Sequence, residues 1–187
     1  MILLLIGPQG SGKGTEGKLL SEALNLPLIG VGELLRDTPT NHPKYPLIKQ
    51  QMQKGLLVDY ETTATIIKER VAMSDCAQGY ILDGWLRVLD EINFFNPNFD
   101  FVLYFNIPLE ESLKRIAGRR IKDNLVIRED DNEEVVLKRQ QIFNKETIPV
   151  INMYRKNGKL VEIDAVGTIN DVHLRALKAL EISQSKS

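Results

Sequence analysis

The sequence predicts an α/β domain with a parallel sheet. Short apolar runs alternate with longer amphipathic stretches, which is the pattern of strands alternating with helices in such a domain. The runs Ile2–Ile6 and Phe101–Asn106 are nearly all apolar, as expected of strands that are covered on both faces. A chain of 187 residues, 43% of them hydrophobic and 26% charged, fits one domain that folds without disulfides.

The two patterns give strands and helices in the following order. Strands are predicted at Ile2–Ile6, Leu28–Ile29, Tyr80–Leu82, Phe101–Asn106 and Leu160–Ile163. Helices are predicted at about Lys13–Leu24, Gly32–Arg36, Pro46–Lys54, Tyr60–Ser74, Leu89–Phe95, Leu109–Ala117, Asn132–Lys156 and Ile169–Leu180. Pro149 should break or kink the longest of these helices near Thr147, because proline has no N–H to donate.

Charge and composition narrow the class of protein. The net charge of −1 argues against a broad surface for nucleic acid or membrane, since such surfaces need an excess of basic residues. The apolar N-terminal run is too short for a membrane span and lacks the flanks of a signal peptide, which predicts a cytoplasmic protein. The single cysteine, Cys76, is expected to be a small buried residue. His42 and His173 have no sequence context that assigns them a role.

The segment Gly7–Thr15 has the composition of a phosphate-binding loop. It lies between an apolar strand and a helix, and its glycines allow successive backbone N–H groups to point at phosphate oxygens. Lys13 supplies a cation for the β- and γ-phosphates of a nucleotide. Gly14 takes the place of the usual Ser or Thr, and Thr15 follows it. The loop predicts nucleotide binding, but ATPases, switch GTPases and small-molecule kinases all have one.

Phosphoryl transfer between two nucleotides needs further cations, and arginine binds phosphate bidentately while staying protonated. Arginines lie at element ends or near a charged segment, at Arg36, Arg87, Arg115, Arg119, Arg120, Arg128 and Arg139. A solvated surface position is an equal alternative for Arg115 and Arg120. Asp83 follows a predicted parallel strand, where ligand-binding carboxylates are commonly found.

Five motifs of the chain occur together in one known family. They are Gly7–Thr15 with its Lys-Gly-Thr ending, Gly32–Arg36, Gly55–Val58, Asp83–Arg87, and Arg128–Glu134 with Arg139. Together they resemble the adenylate kinase branch of the nucleoside monophosphate kinases, almost from end to end. The resemblance implies a P-loop NTPase three-layer sandwich with a five-stranded parallel sheet.

The resemblance also implies an organisation for the chain. Residues 1–187 would form a single nucleoside monophosphate kinase domain. The core would be 1–29, 60–118 and 129–187, with a monophosphate-binding insertion at 30–59 and a short lid at 119–128. A lid of this short kind has no zinc-binding cysteines, so no zinc is expected. Mg²⁺ is expected with ATP, and a monomer is the default oligomeric state.

Roles for individual residues follow from the same resemblance. The catalytic set would be Lys13, Asp83, Arg87, Arg119, Arg128 and Arg139. The ATP-binding set would be Gly10, Ser11, Gly12, Lys13, Gly14, Thr15, Arg115, Arg119 and Gly167. The monophosphate-binding set would be Val31, Gly32, Arg36, Leu57, Val58, Gly84, Arg87 and Glu91. Asp83 would contact the metal ion through water.

Three residues depart from the family pattern, all on the acceptor side. Val31 stands in place of Ser or Thr, Leu86 in place of Pro, and Glu91 in place of a Gln that would contact adenine. An ionised carboxylate only accepts hydrogen bonds, which suits the two adjacent donors of guanine better than the donor and acceptor of adenine. Alternatively, Glu91 pairs with Arg87 four residues earlier and points away from the base.

The function implied is transfer of the γ-phosphoryl group of ATP to a nucleoside monophosphate, with AMP as the expected acceptor. A kinase with altered or broadened choice among GMP, CMP and UMP is the alternative within this class. A regulatory protein that binds ATP and hydrolyses it slowly is the alternative from another class. Arg36 and Arg87 count against the regulator, because it needs no acceptor site.

Overall fold

A parallel sheet of five strands forms the centre of the protein. The computed structural model describes residues 1–53, 58–122 and 133–184. The strands are β1 (Ile2–Ile6), β2 (Leu28–Gly30), β3 (Tyr80–Asp83), β4 (Phe101–Asn106) and β5 (Leu160–Asp164). Their spatial order is β2-β3-β1-β4-β5, and all neighbouring pairs are parallel. The predicted strands are therefore confirmed, and each end lies within one residue of its predicted position.

Helices connect the strands. They are α1 (Lys13–Leu24), α2 (Val31–Arg36), α3 (Tyr45–Gln53), α4 (Tyr60–Val71), α5 (Leu109–Lys122), α6 (Glu133–Ile142), α7 (Ile148–Lys156) and α8 (Ile169–Gln184). The last helix and α5 continue beyond their predicted ends, whereas α4 ends at Val71 and is followed by a 3₁₀ turn at Ser74–Cys76. Within the described ranges, no helix is long and apolar enough to cross a membrane.

Helices cover both faces of the sheet, which gives three layers. On one face, side chains of α4 and α7 such as Ile67 and Ile151 join a buried cluster with Leu4 and Leu82 of the strands. On the other face, side chains of α1 and α8 pack against alternate strand residues such as Leu3, Leu5 and Ile163. Burial on both faces explains why the central strands are apolar throughout rather than alternating.

The predicted helix Asn132–Lys156 does not keep α-helical hydrogen bonding throughout. Its first residue lies outside the described residues. Two helices, α6 and α7, are joined by a π-helical turn at Phe143–Thr147. Pro149 lies in the first turn of α7, where its missing N–H removes no helical hydrogen bond. The break or kink predicted near Thr147 takes the form of this π turn, where the helix widens locally and then continues into α7.

The predicted helix Leu89–Phe95 is wrong. The segment forms a shorter 3₁₀ turn at Leu89–Asn93. The buried carboxylate of Glu91 accepts hydrogen bonds from the backbone N–H groups of Arg87 and Val88, at 2.5 and 3.3 Å from Oε2. These bonds fold the chain back at the start of the turn, as the glutamate of a capping box does.

The tight packing of α1 against the sheet generates a stability prediction. Leu20 is 0% exposed in the cluster beneath α1, so Leu20→Ala should lower the free energy of unfolding by about 2–5 kcal/mol. Leu174→Ala on α8 is the matched control, because Leu174 is 57% exposed and should change the free energy by less than about 0.5 kcal/mol. Urea unfolding followed by circular dichroism measures both. Equal losses in the two variants would contradict this packing.

Candidate active site

The carboxyl end of β1 is the point where the strand order reverses. The connection after β1 leads through α1 to β2 on one side of the sheet, whereas the connection after β3 leads to β4 on the other side, and this opens a crevice beyond the ends of β1 and β3. The loop after Ile6 enters this crevice and leads into α1. Gly10 and Gly12 have φ angles of +80° and +84°, which glycine adopts without strain. The sequence therefore places its phosphate-loop motif at the ligand-binding edge of the sheet.

The first turn of α1 offers backbone N–H groups to a ligand. Gly12 is the N-cap residue, and no side chain caps the helix there. In α4, by contrast, the Asp59 carboxylate accepts a hydrogen bond from the N–H of Thr62 at 2.8 Å. An uncapped helix start with its positive dipole end suits a bound phosphate.

The loop is packed closely against the first turn of α5. The buried Ser112 hydroxyl, 1% exposed, donates a hydrogen bond to the carbonyl oxygen of Gln9 at 2.5 Å. A Cβ placed on Gly10 would lie 2.8 Å from the Ser112 carbonyl oxygen and 2.9 Å from its Oγ. A Cβ on Gly7 would lie 3.0 Å from the carbonyl oxygen of Phe105 in β4. The loop therefore has no room for side chains on its inner side.

Arg139 of α6 reaches the same loop. Its Nη1 donates a hydrogen bond to Oε1 of Gln9 at 3.2 Å, although the two residues are far apart in the sequence. The geometry thus brings one of the predicted catalytic arginines to the edge of the phosphate loop. Gln9 was not among the predicted site residues, because a glutamine in this loop has no distinctive pattern of its own.

Arg115 joins α5 to the segment that follows β5. Its Nη2 donates to the carbonyl oxygens of Ala165 and Gly167 at 2.9 and 3.2 Å, while its Nε pairs with Glu111 at 2.9 Å. A Cβ on Gly12 would lie 3.8 Å from Nη1 of Arg115. Arg115 is therefore not a solvated surface charge, and it holds the predicted adenine-side residue Gly167 beside the phosphate loop.

Asp83 ends β3 and faces the start of α1. A Cβ on Gly14 would lie 3.9 Å from its Oδ2, and its Oδ1 is buried with no hydrogen-bond partner among the described residues. Burial raises the pKa of the Asp83 carboxyl, whereas the charges of Lys13 and Arg87 act in the opposite direction. A buried carboxylate oxygen without a protein donor is suited to a hydrated cation.

A second group of predicted residues gathers at the ends of β2 and β3. A Cβ on Gly84, whose φ is +93°, would lie 3.2 Å from Nη2 of Arg87 and 3.7 Å from Cβ of Val31. Arg36 folds back over its own helix, because a Cβ on Gly32 would lie 3.5 Å from its Nη1. The side chains of Arg36 and Arg87 are exposed. Two exposed guanidinium groups thus stand open to an anion, and the charge of Arg87 acts on Asp83.

Glu91 is only 7% exposed and faces the backbone of this second group. Within the described residues its carboxylate forms no ion pair with the Arg87 guanidinium; Oε2 accepts the two backbone N–H groups instead. Burial raises the pKa of the Glu91 carboxyl, and the two backbone donors oppose that shift. Oε1 accepts no hydrogen bond within the described part of the chain. The alternative of a side-chain ion pair with Arg87 is therefore not found among the described residues.

Leu86 gives the loop after β3 a backbone conformation that proline could not adopt. Its φ is +54°, which a pyrrolidine ring fixed near −65° cannot adopt. The side chain is fully buried, and the neighbouring Trp85 donates its indole N–H to the carbonyl oxygen of Phe95 at 3.0 Å. Burial of both side chains holds the loop in this conformation.

Some predicted site residues lie outside the described residues. These are Leu57, Arg128 and all of the predicted lid beyond Lys122. The backbone of Arg119 is described as part of α5, but its side chain is not. Val58 is buried and packs with Ile48 of α3 and Ile66 of α4.

Two histidine contacts were also missed by sequence reasoning. His173 of α8 pairs with the buried carboxylate of Glu16 at 2.8 Å, in the first turn of α1. His42 pairs with Glu69 at 2.9 Å. Neither glutamate lies within a helical turn of its partner in the sequence, so no local pattern could reveal the pairs. Cys76 is buried, as predicted.

A glycine-rich loop with the geometry of a phosphate loop and two exposed arginines, set at adjacent strand ends beside a partly buried aspartate, are the arrangement of a P-loop nucleotide kinase. A family model described as Adenylate kinase matches residues 5–159. Adenylate kinase of Mycolicibacterium paratuberculosis is 37% identical, over 96% of this chain and 99% of that protein. Adenylate kinase of Ruminiclostridium cellulolyticum is 33% identical, over 97% of this chain and 100% of that protein. Adenylate kinase of Leptospira biflexa is also 33% identical, over 95% of this chain and 98% of that protein. The chain therefore belongs to the adenylate kinase family.

The packing of Gly10 generates a prediction about nucleotide binding. Gly10→Ala should weaken ATP binding at least tenfold, because the new Cβ would collide with Ser112 backbone and strain a positive φ. Gly118→Ala is the control, since a Cβ on Gly118 meets nothing within 4 Å and should leave ATP affinity unchanged. Isothermal titration calorimetry measures both affinities. Unchanged ATP affinity in the Gly10 variant would show that the loop is not held against α5.

The buried carboxylate of Asp83 generates a prediction about stability. Its raised pKa means that the native state favours the protonated form, so its contribution to the free energy of unfolding falls as the pH rises through that pKa. In the absence of ligands, Asp83→Asn should therefore raise the melting temperature at pH 7. The gain should vanish below about pH 4, where the carboxyl is protonated in both states. Melting curves across this pH range measure the effect; a variant less stable than the wild type at pH 7 would contradict it.

Proposed function

We propose that the protein transfers the γ-phosphoryl group of ATP to AMP, giving two molecules of ADP. The observation that carries the proposal is the placement of the phosphate loop and of Arg87 at neighbouring strand ends, with Asp83 between them. An ATPase needs the first of these sites only. A phosphotransferase needs both, because donor and acceptor phosphates must meet in one crevice.

On the donor side, the loop residues Gly10–Thr15 would hold the phosphates of ATP through backbone N–H groups. Lys13 and Arg139 would neutralise the charge of the transferred group, together with Arg119 and Arg128. Arg115 and Gly167 would form the edge of the adenine site. This assignment is supported by the hydrogen bond of Arg139 to Gln9 and by the contacts of Arg115 with the carbonyl oxygens at 165 and 167.

On the acceptor side, Arg36 and Arg87 would bind the phosphate of the monophosphate. Their exposed guanidinium groups and the small residues Gly32 and Gly84 beneath them leave space for an anion. The remaining residues of this site would be Val31, Leu57, Val58 and Glu91. Transfer would proceed in line without a covalent enzyme intermediate, by positioning and electrostatic stabilisation.

Magnesium would enter with ATP. When bound, the ion would supply positive charge that offsets the negative charge of the phosphates. Asp83 fits this group, because its Oδ1 is buried without a donor among the described residues and its Oδ2 lies near Gly14 at the start of α1. Asp83 would orient water molecules of the hydrated ion rather than bind it directly. Among the described residues no cluster of three or more His, Cys, Asp and Glu side chains is placed to hold a metal by itself.

GMP is a second candidate acceptor, and Glu91 is the observation that favours it. The oxygen Oε1 is left without a hydrogen bond from the described residues. A carboxylate oxygen in this position would accept from the two neighbouring N–H groups of guanine, whereas adenine offers one donor only.

A cytoplasmic location and a monomeric state remain predictions.

A coupled assay of ADP formation with AMP, GMP, CMP and UMP in parallel tests the acceptor. The highest kcat/KM is expected with AMP; a preference for GMP of tenfold or more would assign the site to guanine. Lys13→Ala and Arg87→Ala should each lower kcat/KM by about 10²-fold or more, because each removes a cation from the transferred or bound phosphate. Arg155→Ala is the matched control, since Arg155 pairs with Glu162 at the surface. Near-full activity of the Lys13 or Arg87 variant would refute the assignment.

A further inference from the structure

The backbone of Arg87 is held at both of its polar groups by buried side chains. Its N–H donates to Oε2 of Glu91 at 2.5 Å, and its carbonyl oxygen accepts from Oγ1 of Thr147 at 2.9 Å. Thr147 is only 5% exposed and lies sixty residues further along the chain. Two side chains from different elements thus hold the two peptide units on either side of the Arg87 Cα, while the guanidinium of the same residue remains exposed.

This stretch of backbone needs such support because its conformation is intrinsically unfavourable. Leu86, directly before Arg87, has a φ of +54°, and the side chain of a non-glycine residue in this left-handed region strains the backbone. Without tertiary bonds, the loop would relax to a conformation in which the Arg87 side chain leaves a different point of the crevice. Strained backbone that persists at a ligand site is held by its surroundings.

Thr147 also connects the two halves of the site. It is the last residue of the π-helical turn Phe143–Thr147, and that turn continues directly from α6. Arg139 of α6 bonds to Gln9 of the phosphate loop. One continuous helical segment therefore contacts the donor loop at one end and the acceptor arginine at the other. The π turn adds a residue to the helical turn, which changes the direction of every side chain beyond it.

We propose that Thr147 is a positioning residue for phosphoryl transfer. With Glu91 it fixes the backbone of Arg87. It thereby sets the position of the guanidinium that binds the acceptor phosphate. The inference rests on the proposed function, since it assigns Arg87 to the acceptor. It gives Glu91 a role in holding the loop that does not depend on which base is bound.

Thr147→Val and Thr147→Ser provide the main test. Valine has the shape of threonine without the hydroxyl, so kcat/KM for the acceptor should fall about tenfold, while KM for ATP stays within twofold. The loss should be equal for AMP and GMP, because the bond acts on the phosphate-binding arginine and not on the base. Serine keeps the hydroxyl and should restore most of the activity. Thr65→Val is the matched control, since the exposed Thr65 hydroxyl donates to the carbonyl oxygen of Glu61 within the same helix, α4.

Glu91→Ala and Glu91→Gln extend the test to the hydrogen bond that the N–H of Arg87 donates. The amide oxygen of glutamine still accepts both N–H groups, so Glu91→Gln should retain more activity than Glu91→Ala. The losses of kcat/KM in the double variant Thr147→Val/Glu91→Ala should be non-additive, because both changes remove a hydrogen bond to the backbone of Arg87.

Two results would overturn the inference. They are unchanged acceptor kinetics in Thr147→Val, and equal losses in the valine and serine variants. A wild-type protein that transfers phosphate to no monophosphate would refute the proposed function instead. In that case an unchanged affinity of Thr147→Val for AMP in calorimetry would separately overturn the positioning role.

Discussion

The close approach of the phosphate loop to the first turn of α5 is the contact on which the rest of the site depends. Neither Gly7 nor Gly10 has space for a side chain, because backbone oxygens of Phe105 and Ser112 lie where a Cβ would stand. The Ser112 hydroxyl closes this contact by its bond to Gln9. The same glutamine then receives Arg139 through its side chain. A loop that binds phosphate by its backbone must be rigid before the ligand arrives, and this packing supplies the rigidity.

Strand order brings the two phosphate sites together. Because β1 and β3 are neighbours and parallel, the loop after one and the Asp83–Arg87 segment after the other emerge side by side. The arrangement has a cost in stability. Asp83 is a buried carboxylate whose Oδ1 has no partner among the described residues, and Leu86 has a positive φ. Both unfavourable features lie between the two sites, as expected where function rather than stability selects the residue.

Local patterns in the sequence predicted the strands, most helices and the phosphate loop. Apolar runs predicted the strands because strands that are covered on both faces consist almost entirely of apolar residues. Pro149 marked the place where the α-helical hydrogen bonding changes, because proline lacks an N–H. Long-range contacts could not be predicted in this way. The bond of Thr147 to Arg87, the pair of Glu16 and His173, and the contact of Arg139 with Gln9 each join residues far apart in the chain. The resemblance to adenylate kinases identified Arg87 and Glu91 as candidate site residues, but only the structure showed how Glu91 is used.

Phosphorus NMR of the wild-type protein mixed with ATP, AMP and Mg²⁺ tests the two-site arrangement most directly. Transfer between adjacent sites predicts two molecules of ADP for each ATP consumed, with no inorganic phosphate beyond the rate seen without protein. Release of inorganic phosphate at the same rate with and without AMP would contradict it, because the phosphate loop would then serve hydrolysis and the arginines at the end of β3 would bind no acceptor.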